Sequence, residues 1–506
     1  MNNSYELVPP PAHAMIESLR GVGYSVEAAL ADIIDNSLAA DAKNVRLHFE
    51  FAGADSWISI LDDGRGMNEP ELRRAMTLGG RSPLDTRTSS DLGRFGFGLK
   101  TASFAQCRRL TVASKKGGSR AVRRWDLDLI ARPDVNDWRL LSEPAPGSED
   151  RLLGLENEDS GTLVLWERMD RLTAGMLSDD RRSEDAFLLM IDRVEQHLGM
   201  VFHRFLEGSH PELKIFINGT DARSRVRPWD PFLAWSPATS ITPVERIPTA
   251  NGLVELQGYV LPHKDQLTEE EFREGAGRDG WTSQQGFYVY RNRRLLVAGG
   301  WLGLGEPRLW TREEPYKLAR LSLEFPNTAD EDWEIDIKKS TARPPRVLKA
   351  RLTALAETVR SQARQVFAHR GAYGKRAPTA DLQSAWTVDE AGSGTRYRIN
   401  RSHPAILLVL EAAGRDQAVV EQALRLIEET VPVQRIWLDT VEKGEIRKEA
   451  FAEAPPPELE GIACSLFKHL TTRVGLSPEL ARQQLLSTDP FQNYPDIINR
   501  LVPEAA

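Results

Sequence analysis

A chain of 506 residues is too long for one compact core, and its 41% apolar and 27% charged composition is that of a folded protein with two to four domains. With 65 basic against 73 acidic residues the net charge is −8, which argues against a surface that coats nucleic acid along its length. Only two cysteines occur, Cys107 and Cys464, far apart and without metal-ligand spacing, which argues against a disulfide scaffold and fits a reducing compartment.

Residues 1–27 read as a polar arm and a short helix without the apolar core of a signal peptide. No later run reaches the roughly 18 apolar residues of a membrane span, so a cytoplasmic protein with no membrane contact is expected. In "ALADIIDNSLAADAKNV", Leu30, Ile33, Ile34, Ser37 and Leu38 form one helical stripe with a small gap at Ser37. Asp32 and Asn36, four apart, stack on the opposite face. A carboxamide oxygen there suits Mg²⁺, and a carboxylate beside it suits orientation or deprotonation of an attacking water. Val45 to Glu50 and Trp57 to Leu61 read as strands, and Asp62-Asp63-Gly64-Arg65-Gly66 follows the second. A carboxylate at a strand end accepts from an exocyclic amine such as that of adenine, and glycines let the backbone approach a flat ligand.

Met67 to Leu78 reads as a helix, and the polar run from Gly79 to Leu92 as a mobile lid. Gly93, Gly96 and Gly98 then precede a helix near Leu99, a place where free N–H groups favour phosphate, although no G-K-[ST] closes the run as in a Walker loop. "RRLTVASK" and "RAVRRWDLDLIA" read as neighbouring strands carrying Arg108, Arg109, Lys115, Lys116, Arg120, Arg123 and Arg124, suited either to a phosphate backbone or to a solvated sheet edge. "DSGTLVLWERMD" puts a Gly-Thr pair before a strand, and Glu184 to Phe205 has helical spacing. Gly252 to Phe325 is strand-rich, with Phe287 and Val289 on one face and Tyr288 and Tyr290 on the other. A long helix is expected over Arg346 to His369, then a turn or hairpin in "DEAGSGTRYRINRSHP", two helices from Pro404 to Arg425, a strand at Val433 to Asp439 and a last helical group from Glu458 to Val502. This last third offers no paired metal ligands and no nucleophile with a nearby base.

Taken in order, the motifs between residues 28 and 103, with the later Gly-Thr, resemble the GHKL ATPases, the family of gyrase, the ninety-kilodalton chaperone, histidine kinases and MutL, and are closest to its MORC-like and MutL-like branch. The resemblance implies Asp32 as the general base, Asn36 as the Mg²⁺ ligand and Asp62 as the adenine reader, with Gly64, Gly66 and Met67 in the adenine loop. It implies a phosphate lid of Gly93, Arg94, Phe95, Gly96, Phe97, Gly98, Leu99 and Lys100, and Thr162 reaching adenine through water. The family's base is Glu; Asp32 is one C–C bond shorter, and a displacement near 1 Å costs on the order of 100-fold, so slow turnover is expected. "GFYVYRNRRLL" resembles the S5-like transducer of MutL and MORC proteins, and in "DWEIDIKKSTARPP" the resemblance implies Lys339, or else Lys338, as a γ-phosphate contact.

The implied fold is α+β: a Bergerat-fold ATPase domain at 1–205, an S5-like transducer α/β domain at 206–370 and a mostly helical region of unknown role at 371–506. The implied function is an ATP- and Mg²⁺-dependent hydrolase and switch that dimerises on ATP as a clamp. Its implied target is DNA, in bacterial antiviral defence, restriction or repair, with other proteins of a defence cluster as partners. The alternatives are a chaperone-like ATPase acting on protein clients and a nucleotide-binding scaffold with negligible hydrolysis.

Overall fold

Apolar alternation along residues 44–62 starts the first sheet of the computed structural model, which describes residues 11–21, 23–79, 98–132, 135, 137–305, 308–335, 341–368, 383–391, 394–433, 457–488 and 490–502. The chain divides into two units, residues 1–375 and 376–506. In the first, helices α1 (Ala12–Arg20) and α2 (Val26–Ala39) precede β1 (Asn44–Glu50) and β2 (Trp57–Asp62). α2 begins where the Ser25 side chain accepts from the Ala28 N–H, which satisfies one of the donors a helix start leaves open. After α3 (Glu69–Met76) and α4 (Gly98–Gln106) come β3 (Arg109–Lys116), β4 (Ser119–Asp126), α5 (Leu127–Ile130), β5 (Gly161–Glu167), α6 (Arg181–Val201), α7 (His203–Leu206) and β6 (Lys214–Ile217).

These six strands form one sheet in the order β4-β3-β5-β2-β1-β6, antiparallel except for the β1–β6 pair. The sheet thus extends past residue 205, because β6 hydrogen-bonds beside β1 with Asn44 opposite Lys214. The two-residue period splits its side chains cleanly. Val45, Leu47, Ile60, Val112, Val164 and Trp166 face α1, α2, α4 and α6 in the main core. Leu61, Ala113, Leu163 and Leu165 face the other way, under Leu152 and Leu155.

The second sheet follows in the same unit: β7 (Ser240–Ile241), β8 (Glu245–Thr249), β9 (Gly252–Val260), α8 (Glu269–Ala276), β10 (Gly286–Arg291), β11 (Arg294–Ala298) and β12 (Ala319–Phe325), then α9 (Arg346–Ala368). Its order is β11-β10-β12-β9-β7, with β8 also on β9. Phe287 and Val289 pack with Leu256, Leu321 and Leu323 and with Leu352, Ala356 and Val359 of α9, whereas Tyr288 and Tyr290 pack on the opposite face with Phe232 and Leu295. The expected alternation is therefore the one found. α9 is pinned by Arg360, whose guanidinium lies 4.5, 4.5 and 3.7 Å from the ring centres of Trp301, Trp310 and Tyr316.

The second unit holds the expected hairpin, β13 (Trp386–Ala391) and β14 (Gly394–Ile399), and helices α10 (Pro404–Ala413), α11 (Gln417–Glu429), α12 (Pro457–Thr472), α13 (Pro478–Leu486) and α14 (Pro495–Arg500). Its core is Leu459, Ala463, Leu466, Ala481, Leu485 and Ile498. Apart from Val433, the strand expected at 433–439 lies outside the described residues, as does the expected lid from 80 to 92. The protein is α+β, with two mixed sheets and a mainly helical C-terminal part. Among the described residues no helix is long and apolar enough to cross a membrane.

Candidate functional site

Strand register assembles one end of the site. Asp62 on β2 stands opposite Thr162 on β5, which stands opposite Ser114 on β3, so three polar side chains cross the middle of the sheet in a row. Asp62 is 7% exposed, and three donors hold its carboxylate. Ser37 Oγ of α2 donates to Oδ2 at 2.9 Å, and the N–H groups of Gly64 and Thr162 donate to Oδ1 at 3.0 and 3.2 Å. Burial nonetheless pushes its pKa up to about 6, because those bonds do not replace all the lost hydration. Ser114 Oγ donates to the Gly161 carbonyl, sits 2.9 Å from Thr162 Oγ1 and accepts from the Met67 N–H at 2.8 Å. The loop glycines are required by close approach. A Cβ on Gly66, at φ +64°, would fall 1.9 Å from the Lys115 carbonyl oxygen, and one on Gly64 would meet Ala40 at 2.9 Å. What results is a buried acceptor whose donors are fixed, beside a loop packed closely against Ala40 and Lys115.

The other end of the site lies on α2. Asn36 is exposed, and its Nδ2 donates to the Asp32 carbonyl at 3.0 Å, so the carboxamide oxygen is not used in that bond. That donor fits a hard cation that keeps phosphate and water oxygens as its other ligands. Among the described residues no cluster of three His, Cys, Asp or Glu forms a protein-only cation cage.

Asp32, which shares the face opposite the apolar stripe with the exposed Asn36, is itself only 4% exposed. The Tyr24 hydroxyl donates to its Oδ2 at 3.0 Å, and Arg294 Nη2 of β11 lies 3.7 Å from its Oδ1. Arg294 Nε also donates to Asp35 at 3.2 Å. The physical reason is that α2 packs on two sides: Ala29, Leu30, Ala31, Ile33 and Ile34 are all buried, and the edge that the apolar stripe leaves polar meets β11 of the second sheet.

At the start of α4, no atom of the described residues lies within 4 Å of a Cβ placed on Gly98, and Leu99 packs against the main core. Lys100 is buried, with Nζ donating to the Ala75 carbonyl at 2.8 Å, and burial lowers its pKa to about 8. Gly93, Arg94, Phe95, Gly96 and Phe97 lie outside the described residues, and so do Lys338 and Lys339. Of the basic strands β4 is the sheet edge and β3 lies inside it, and their cations have internal partners. Arg108 pairs with Asp128, Arg109 with Asp126, Lys116 with Glu71, Arg120 with Glu156 and Arg123 with Glu69.

The structure thus brings Asp62, Gly64, Gly66, Met67 and Thr162 together, and places Asp32 and Asn36 on the helix that Ser37 joins to Asp62. Tyr24, Ser37, Ser114 and Arg294 are the participants that motif reading missed. The gap at Ser37 in the apolar stripe was the one visible signal.

Residues 24–162, which contain both ends of this arrangement except Arg294, match the family of histidine kinase-, DNA gyrase B- and HSP90-like ATPases. Over 91 residues the chain is 33% identical to ATPase morc-1 of Caenorhabditis elegans, a match covering 18% of this chain and 10% of that protein. On these matches the protein carries a GHKL-type ATPase domain, of the kind that binds and hydrolyses ATP, with distant similarity to a MORC ATPase.

Proposed function

We propose that the protein is an ATP-driven switch in which Asp62 reads adenine, Asn36 serves the Mg²⁺ that accompanies the phosphates, and Asp32 is the general base. The observation that carries this reading is the Ser37–Asp62 hydrogen bond, which fixes the proposed base helix to the proposed adenine reader. The ionised Asp62 accepts from the adenine amino group, and Thr162 and Ser114 hold the neighbouring polar row. Bound Mg²⁺ supplies charge compensation for the triphosphate. Asp32 takes a proton from the attacking water, and the Gly98 end of α4 offers N–H groups to phosphate. The lid of residues 93–100 and a lysine at 339, or at 338, complete the proposed phosphate contacts, the lysine stabilising charge on the transferring group.

On this reading residues 1–205 carry the ATPase, 206–370 act as its transducer and 371–506 serve a separate role. ATP favours a homodimer that closes as a clamp, with DNA as the target in a defence or repair setting. The internally paired basic strands lend the DNA part no support. The second reading, a nucleotide-binding scaffold with negligible hydrolysis, draws on the short Asp32 side chain held between Tyr24 and Arg294.

Light scattering after size exclusion, with and without a non-hydrolysable ATP analogue, tests the switch, and ATPase rates with added duplex DNA or an unfolded client test its target. A monomer-to-dimer shift and stimulation by DNA are expected. An unchanged mass with the analogue bound contradicts the clamp, and stimulation by the client alone transfers the protein to the chaperone-like class.

A further inference from the structure

We propose that Arg294 is a positioning residue for hydrolysis: carried on the second sheet, it holds the Asp32 carboxylate in place and so makes the base geometry depend on how that sheet is seated. The inference rests on the reading of Asp32 as the base.

The hairpin that delivers Arg294 is built to aim it. Asn292 and Arg293 form a two-residue turn with φ of 48° and 68°, the backbone hand that matches strand twist. The pairing of β10 with β11 shifts register between Val289 and Tyr290, a bulge of the kind that re-aims a side chain. At the end of β10, Arg291 pairs with Asp330 at 2.9 Å, both only 1% exposed, which anchors the turn. Arg294 itself is 4% exposed. Its Nη1 donates to the Leu295 carbonyl at 2.7 Å, its Nε to Asp35 at 3.2 Å, and its Nη2 faces Asp32 at 3.7 Å.

Two buried carboxylates one turn apart repel each other, and a planar guanidinium between them compensates both, hydrogen-bonded to Asp35 and within ion-pair distance of Asp32. The Asp32 oxygens are then divided. Oδ2 takes the Tyr24 hydroxyl from its own domain, and Oδ1 faces the arginine from the second sheet. A shortened acid has little reach of its own, so its aim is set by what holds it.

Other contacts carry the attachment of the second sheet. His203 meets Tyr290 at 2.9 Å, Arg204 pairs with Glu324 at 2.7 Å, and Arg278 lies 3.6 Å from Glu27 at the start of α2. Removing Arg294 therefore disturbs aim before attachment.

Steady-state and single-turnover ATPase kinetics of the full chain, with nucleotide binding and melting temperature for each variant, test this. Arg294→Ala is expected to lose about 100-fold in kcat, the cost of a misplacement near 1 Å, while KM and ATP affinity move less than about threefold. Arg294→Lys recovers part of the rate. Arg278→Ala, which breaks a contact to the same helix away from Asp32, keeps it. The double variant Asp32→Ala/Arg294→Ala is no slower than Asp32→Ala alone, because the two act as one unit. If Arg294→Ala fails to fold, Asp35→Asn, which releases the arginine from its anchor, gives a smaller loss in the same direction. Wild-type kcat in Arg294→Ala, losses in KM that match those in kcat, or multiplicative losses in the double variant overturn the proposal while the base reading stands. Wild-type turnover in Asp32→Ala overturns both.

Discussion

At the proposed adenine end, Asp62 is held by Ser37, Gly64 and Thr162, from one sheet, the loop that follows its β2 strand and the helix packed on it; at the proposed hydrolytic end, Asp32 is contacted by Tyr24 and by an arginine from another sheet. The first arrangement is complete within the ATPase domain, so on the proposed reading adenine recognition depends on the folding of that domain alone. The second is completed across an interface, so chemistry can be conditional on domain seating while binding is not. The proposed switch needs that asymmetry: it must hold ATP in a state that does not yet consume it.

The comparison breaks most visibly at Asp32. Asp32→Ala is expected to lower kcat by roughly 10²–10⁴-fold with ATP affinity nearly unchanged, as for a general base, measured by single-turnover hydrolysis beside calorimetric binding. The mirror-image variant, Asp62→Asn, is expected to weaken ATP binding by about 10–100-fold, the loss of a hydrogen bond to a charged group, measured by the same calorimetry.

Protonation sharpens the same contrast. Because burial raises the Asp62 pKa to about 6 in the folded protein, against about 4 unfolded, the fold binds that proton more tightly than the unfolded chain does. Its sign follows. Between pH 4 and 6 this carboxyl makes the free protein less stable as pH rises, and the cost is complete above 6. ATP binding has the opposite slope, since only the ionised form accepts from adenine. Affinity should fall by up to about tenfold per pH unit below 6, and Asp62→Asn should flatten both curves, read by calorimetry and melting from pH 4.5 to 8. The smallest effect separates two glycines. Gly66→Ala forces a Cβ against the Lys115 carbonyl and should cost more than about 1 kcal/mol, whereas Gly98→Ala meets no atom of the described residues within 4 Å and should stay within about 1 kcal/mol of wild type by denaturant titration.

What the sequence made legible follows the same line. Asp62, Gly64 and Gly66 are readable because their chemistry is local: a strand end, a turn and a close approach lie within five residues. The alternation of Phe287 to Tyr290 is readable because a strand's period is intrinsic to its backbone. The second burial of α2 was not readable. Its polar edge looks solvated until β11, some 260 residues later, supplies Arg294, and no one-dimensional pattern carries a contact at that separation. The turn that delivers the arginine was equally silent, since Asn292 and Arg293 adopt positive φ without a glycine to announce it. Ser37 lies between these cases, visible as a gap but readable as a ligand holder only once Asp62 is beside it.

The central claim, that Asp32, Asn36 and Asp62 serve one Mg²⁺-bound ATP, is tested most directly by mixing Asp32→Ala with radiolabelled ATP and following bound nucleotide and released phosphate together. The account predicts stoichiometric ATP that stays intact while the wild-type protein converts it. Equal phosphate release from the two proteins, or failure of the wild-type chain to hold ATP at all, would contradict it.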